Sequence, residues 1–384
     1  MVYKKLTDNG HLDIKGYLDF AGLVDEHGNI ESKFLFILLS PRDCGKSTSL
    51  WNYTIEDYWI KSNWVKQLLY TRNNTSKTDN FTHSFNNSFK DLGLKMTTNK
   101  IEKLDLNTNK RIDSKTLGTV MGISVSENFK SAMSDNYEMI FWEEFNEYDG
   151  SDILDIVSIK RQNDLYLNFV DTIKTYERHR ESNFRVFLLG NKVSPQNDLL
   201  LTFDIVPPIE HDEDLLYIRD VEGLKIRIVI CADKTFSKIK NHKNTLANAL
   251  ATFDERTNRY INNGGWLVEP DEDVISFKSI SEKAKPLYNI IYNQSIFEFG
   301  ELDNDQFYIL NVSKENYIKS IPTYALDKIS SLWIKNSIQY DQKDNTNLAE
   351  FLESIYKNNQ LYFCSKFAKS WIIQFIIRNI ESEF

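Results

Sequence analysis

The run Phe34-Leu35-Phe36-Ile37-Leu38-Leu39-Ser40-Pro41-Arg42-Asp43-Cys44-Gly45-Lys46-Ser47-Thr48 decides how this chain folds. Its first six residues are uninterrupted apolar sequence of strand length, the pattern of a strand covered on both faces in a parallel sheet. Ser40 to Ser47 fit the phosphate-loop pattern G-x-x-x-x-G-K-[ST], with Ser40 in place of the first glycine. A helix is expected from about Lys46, because Leu50, Trp51, Ile55, Tyr58 and Trp59 recur at near-helical spacing. The chemistry asks for backbone N–H groups curled round a β-phosphate at a helix N-terminus. Gly45 permits close approach, Lys46 reaches the β/γ oxygens and Ser47 offers a hydroxyl to magnesium. Pro41, Arg42, Asp43, Cys44 and Thr48 complete the nucleotide-binding stretch. A chance Gly-Lys-Ser in a loop is the competing reading, and the flanking strand and helix argue against it.

Outward from that run, Gln67-Leu68-Leu69-Tyr70-Thr71, Met139-Ile140-Phe141-Trp142 and Phe184-Arg185-Val186-Phe187-Leu188-Leu189 read as further strands. The stretch Asp164 to Arg180 reads as a helix with Leu165, Leu167, Phe169, Val170 and Ile173 as its apolar surface. The Asn-, Ser- and Thr-rich segment from Asn73 to Asn87 reads as an exposed loop. Leu224 to Ile230 is a β pattern expected to close this domain. Strands alternating with helices predict an α/β sheet. Residues 233–265 are polar and charged and contain Asn263-Gly264-Gly265, the composition of a helical connector. Beyond them, Leu287 to Ile291, Ser295 to Phe299 and Gln306 to Asn311 predict consecutive antiparallel strands, with Asp303-Asn304-Asp305 as a turn. Helices are expected near Leu348 to Tyr356 and Ser365 to Asn379. The chain therefore divides into residues 1–232, a linker at 233–265, and a small α+β domain at 266–384.

Three further groups bear on chemistry. Glu143 and Glu144 finish an apolar strand, where the first carboxylate would hold magnesium and the second would polarise an attacking water. The first acid of such a pair is ordinarily aspartate, so Glu143 is a departure; a solvated acidic strand end is the plain alternative. Asn191 ends the next strand, where its amide would touch a γ-phosphate or the attacking water. Asn191-Lys192-Val193-Ser194 is similar to the guanine-reading N-K-x-D motif, but Ser194 stands where the guanine-pairing carboxylate is needed, which argues against GTP. Glu177-Arg178-His179-Arg180-Glu181 would end a helix and supply an arginine to a neighbouring subunit's γ-phosphate, or simply form a solvated charged face.

Composition sets limits on these readings. The chain has 384 residues, 41% hydrophobic and 13% aromatic, enough for more than one packed core. Its longest apolar run, Phe34 to Leu39, is too short to span a bilayer, and no membrane is expected. Met1 to Asp8 carries no apolar stretch behind its lysines, so no secretory signal is expected. Cys44, Cys231 and Cys364 are widely spaced and odd in number, which predicts no zinc pattern and a reducing environment. The net charge of −9 opposes stable wrapping of nucleic acid. A ring that grips phosphate briefly through a few basic groups is compatible with it.

With these pieces in place, the chain resembles the DNA-packaging (encapsidation) ATPases of small podoviruses, ring-forming P-loop translocases of the additional-strand, catalytic-glutamate class. The resemblance rests on Phe36 to Leu39, Leu69-Tyr70-Thr71-Arg72, Ser124 to Ser131, Glu144-Phe145, Leu167 to Ile173, Arg185 to Asn191 and, more weakly, Ile290 to the C-terminus. It implies a RecA-like α/β ATPase sheet with flanking helices, a helical linker, and a C-terminal domain resembling a ribonuclease-H-like nuclease without its metal carboxylates. Glu298, Glu301, Asp303 and Asp305 could mimic a nuclease's acidic cluster, but they lie across the expected hairpin turn and are read as solvating it, so no nuclease activity is expected. It further implies ATP and Mg2+ as cofactors, with Ser47 and Glu143 at the metal and Glu144 as catalytic base. Lys130 would act across a subunit interface, and Arg178, with Arg180 as runner-up, would be the trans-acting finger. The implied partners are double-stranded DNA, the procapsid portal and further copies in a ring, typically a pentamer; some relatives also use a structural RNA. The implied location is the host cytoplasm, transiently at the portal vertex. Two other classes compete: a small-molecule nucleotide kinase, and a nucleic-acid-binding scaffold with a degenerate loop, which the Ser40 and Glu143 departures favour.

Overall fold

The computed structural model describes residues 3–72, 75–108, 111–123, 137–145, 184–194, 198–203, 211–236, 272–292, 295–303, 305–312, 316–326 and 337–380, together with residues 169, 170, 173, 205, 207, 208, 249, 252, 253 and 334. Packing divides the chain into two units. One comprises Met1–Glu147, Asp164–Val193 and Ile209–Val268; the other comprises Tyr148–Asn163, Ser194–Pro208 and Glu269–Phe384. Most of the connector at 233–265 and most of the expected helix at 164–180 lie outside the described residues.

In the first unit the apolar runs become the centre of a nine-stranded sheet. Its strands are β1 (Phe34–Ser40), β2 (Gln67–Arg72), β3 (Leu94–Met96), β4 (Lys100–Leu104), β5 (Arg111–Gly122), β6 (Tyr137–Glu143), β7 (Arg185–Asn191), β8 (Leu215–Ile218) and β9 (Lys225–Ile230). Their order is β3-β4-β5-β2-β6-β7-β1-β9-β8. The six strands from β5 to β9 in that order pair in parallel. The outer strands β3, β4 and β8 are antiparallel additions. β9 is the last strand of this sheet in the chain, as expected, but not its edge: Leu215–Ile218 pairs beyond it, on a sequence too short and too half-exposed to stand out as a strand.

Side-chain alternation sorts the central strands into two faces. Phe36, Leu38, Leu68, Tyr70, Met139, Phe141, Phe187 and Leu189 share one core, into which α1 (Ile14–Phe20) and α2 (Lys46–Tyr53) also pack. Trp51 of α2 seats its ring 5.8 Å from Phe141 and 5.3 Å from Tyr70. α2 continues as a wider π-helical turn over Thr54–Ile60.

The segment expected as a loop at 73–87 is a correction: Thr75–Phe89 forms a helix, α3. Phe81, Phe85 and Phe89 recur every four residues and make one apolar stripe. Phe81 stacks on Tyr70 at 5.4 Å, and Phe85 meets Trp51 edge-on at 4.8 Å. That packing outweighs the weak helix propensity of the asparagines, serines and threonines.

The second unit carries a six-stranded sheet of order β14-β13-β10-β11-β12-β15. β10 (Lys285–Tyr292), β11 (Ser295–Glu301) and β12 (Phe307–Val312) form the expected antiparallel meander. β13 (Thr323–Ala325), β14 (Ile338–Gln339) and β15 (Leu361–Phe363) are short parallel additions. α4 (Gln342–Lys357), begun by an Asp341/Asp344 capping box, and α5 (Lys366–Ile380) supply its apolar cover. Phe297 meets Trp371 of α5 at 4.4 Å. Glu298 is a second correction, since it does not solvate the turn. It is buried on β11, facing away from that core, and accepts the Tyr308 hydroxyl at 2.6 Å. Asp303 and Asp305 are exposed as expected.

Candidate active site

Ser40, Asn191, Glu143 and Arg72 all finish parallel strands, so the sheet delivers them to one edge, the carboxyl end where open α/β sheets bind ligands. The insertion of β7 between β1 and β6 sets Asn191 directly beside Ser40.

The loop from Ser40 to Lys46 is tightened by its own short contacts. Gly45 adopts φ +87° as the residue before α2, and a Cβ there would come 3.2 Å from the His11 ring. Asp43 takes the other left-handed position, at φ +58°. Ser40 is not in that region, so the missing first glycine costs no backbone strain. Its buried hydroxyl lies 3.0 Å from Cys44 Sγ, which donates to the Pro41 carbonyl at 3.2 Å. The N-terminal segment braces the loop from outside: Leu12 N–H donates to the Cys44 carbonyl at 2.8 Å, and Ile14 N–H to Ser49 Oγ at 2.7 Å. Lys46 Nζ donates to Asn191 Oδ1 at 2.8 Å and to the Pro41 carbonyl at 2.9 Å. Lys192 is fully buried, with Nζ on the Cys231 carbonyl at 3.3 Å, a structural rather than base-reading placement.

The two acids differ in kind. Glu143 is 1% exposed and accepts the Tyr70 hydroxyl on Oε2 at 2.7 Å. No hydrogen bond of normal geometry ends on its Oε1, although the Ser47 hydroxyl lies near enough to favour the charged carboxylate. Burial raises the Glu143 carboxyl above the usual range, and the Glu144 charge adds to that; the Arg72 charge and the hydroxyls of Tyr70 and Ser47 act in the opposite direction. Glu144, just past the strand, is 42% exposed at its side chain and pairs with Arg72 at 2.8 Å. Its φ of +56° is unusual for a glutamate, and its N–H is tied to the Leu189 carbonyl at 2.7 Å. The Arg72 guanidinium lies 5.1 Å over the Phe81 ring, so α3 also helps to hold it.

A buried carboxylate oxygen on which no normal hydrogen bond ends, beside a phosphate-loop hydroxyl, is a hard oxygen donor set that suits magnesium. Among the described residues no group of three or more His, Cys, Asp or Glu side chains is arranged to hold a metal. Magnesium typically takes only one or two protein oxygens and completes its shell with phosphate and water.

The structure thus brings Lys46, Asn191, Ser47, Glu143 and Glu144 to one edge. Lys130, Arg178 and Arg180 lie outside the described residues. Arg72 and Tyr70 were not singled out as site residues from sequence. The available signal was a polar residue and then a charged one at the end of an otherwise apolar strand, Leu68-Leu69-Tyr70-Thr71-Arg72.

The sequence model of the podovirus DNA encapsidation proteins (Gp16) matches residues 29–371. The chain belongs to that family. Packaging of DNA is therefore its task, and the kinase reading falls. No curated protein sequence matches the encapsidation protein. Among solved structures it is similar to a chain of the bacteriophage Phi-29 viral genome packaging motor assembly, at 20% identity over 97% of this chain and 98% of that one, with a TM-score of 0.50. It is also similar to the Phi-28 gp11 DNA packaging motor, at 12% identity over 90% and 94%, with a TM-score of 0.42. The N-terminal domain of the DNA packaging ATPase from bacteriophage phi29 matches at 24% identity over 51% of this chain and 90% of that one, with a TM-score of 0.36. The first of these likenesses establishes a common fold.

Proposed function

We propose that this encapsidation protein is the ATP-hydrolysing subunit of a homo-oligomeric ring, a pentamer by resemblance, that drives double-stranded DNA through a portal into a procapsid. The observation that carries the reading is the meeting of Lys46, Asn191, Ser47, Glu143 and Glu144 at one sheet edge. In this reading the amides of residues 43–48 and Lys46 bind the β- and γ-phosphates, and Asn191 moves from the lysine towards the γ-phosphate. Ser47 and Glu143 would hold magnesium, which supplies neutralisation of phosphate charge when bound. Glu144 takes the proton of the attacking water, and Arg72 sets its position. Arg178 of one subunit reaches the γ-phosphate held by the next, and Lys130 acts across the same boundary. Nucleotide turnover in the host cytoplasm would then be coupled to strokes on DNA at the portal vertex.

Glu144→Gln tests the central assignment. An amide keeps the shape of the side chain but does not accept the proton, so ATP binding should persist while turnover falls by roughly 10²–10⁴. DNA-stimulated phosphate release and equilibrium binding of a fluorescent ATP analogue measure the two separately. Hydrolysis near the wild-type rate would remove Glu144 from the mechanism.

A further inference from the structure

Tyr70 is a wholly buried tyrosine in the core of a sheet, where phenylalanine would fill the same space. Its ring packs between Trp51 at 5.3 Å and Phe81 at 5.4 Å. Its one polar atom reaches from β2 to the end of β6 and donates to Glu143 Oε2 at 2.7 Å. A buried hydroxyl is retained where its bond does something an apolar ring does not. Here the bond occupies one carboxylate oxygen and leaves the other, Oε1, without a hydrogen bond of normal geometry in a site that also contains Ser47. Glutamate at this position has one more rotatable bond than the usual aspartate, so its carboxylate needs an external restraint to hold one orientation.

We propose that Tyr70 is a positioning residue for magnesium: its hydroxyl clamps Oε2 of Glu143 so that Oε1 is presented to the cation of the bound nucleotide. The proposal rests on Glu143 being the metal-holding acid. It also accounts for a glutamate at that position, since the extra methylene gives the carboxylate the reach to meet a tyrosine on the neighbouring strand. A partner that orients a ligating carboxylate influences metal affinity by about 10–100-fold, without touching the metal itself.

The test is Tyr70→Phe, which preserves the ring packing and deletes only the hydroxyl. Mn2+ binding to the full-length protein with ADP is followed by electron paramagnetic resonance, beside ADP affinity in EDTA, circular dichroism and magnesium-dependent ATPase kinetics. The expected result is Mn2+ affinity lowered about 10–100-fold, with ADP affinity in EDTA held. The Mg2+ concentration for half-maximal turnover should rise by more than kcat falls, a split that a packing role would not produce. Glu143→Gln is the control, and Tyr70→Phe added to it should cause no further loss of Mn2+ affinity. If Glu143→Gln weakens Mn2+ binding and Tyr70→Phe leaves it at the wild-type value in a folded protein, the clamp is refuted while the site stands. If Glu143→Gln itself leaves Mn2+ binding unaltered, the metal assignment falls and the clamp with it.

Discussion

Asp214 draws together four stretches of the first unit. Its buried carboxylate accepts Lys5 Nζ at 2.5 Å, the Tyr17 hydroxyl at 3.2 Å, the Ala232 N–H at 2.8 Å and the Thr235 hydroxyl at 2.7 Å. Burial alone would raise its carboxyl, but the bonds from Lys5, Ala232 and Thr235 outweigh it and hold the group below the usual aspartate range. A lowered folded-state pKa means stabilisation that is complete above the unfolded value of about 3.9 and lost as pH falls through the folded value. Asp214→Asn should thus cost about 1.5–3 kcal/mol at neutral pH, because the amide loses the charge-assisted bonds from Lys5 and Thr235 while Lys5, 35% exposed at its side chain, stays solvated. The deficit should shrink below about pH 4, where the wild-type carboxylate also becomes protonated. Urea unfolding at pH 7 and pH 3 gives both values; equal deficits at the two pH values would contradict the linkage. At the same scale, Glu144 shows local backbone strain: its left-handed conformation is held by the Leu189 carbonyl and its carboxylate pairs with Arg72.

At the scale of elements, α3 links composition to the site. Its Phe81–Phe85–Phe89 stripe covers Trp51 and Tyr70 and carries the ring beneath Arg72. Phe85→Ala should remove about 3–5 kcal/mol of stability by opening a cavity against Trp51. Denaturant titration followed by tryptophan fluorescence would measure it, and a loss under 1 kcal/mol would mean that the helix is not held by this contact. The same element shows where pattern reading failed. Asparagine and serine counts in the segment suggested a loop, while three phenylalanines spaced by four carried the true signal. The central strands were readable because strands buried on both faces have continuous apolar sequence. Short outer strands such as Leu94–Met96 and Leu215–Ile218 lack that mark and exist through pairing with a neighbour.

At the scale of the whole molecule, a chain of net charge −9 that handles DNA favours repeated brief engagement over tight wrapping. In a ring, each site would be completed by its neighbour. Mixing Lys46→Ala subunits with Arg178→Ala subunits should therefore restore part of the ATPase activity that both parent rings lack, because some interfaces then pair an intact phosphate loop with an intact arginine. Activity that stays at the parental level in mixed rings of normal size would place the arginine's role elsewhere.

The sequence by itself determined the buried strands, the phosphate loop between strand and helix, the paired acids and the asparagine, because each depends on residues adjacent in the chain. Tertiary structure alone decided that β7 separates β1 from β6 and thereby brings Asn191 to Lys46. It likewise set Tyr70 on Glu143, Arg72 on Glu144 and Tyr308 on a buried Glu298. Such partners meet through strand order and register, which arise from the packing of distant segments, and no local periodicity records them.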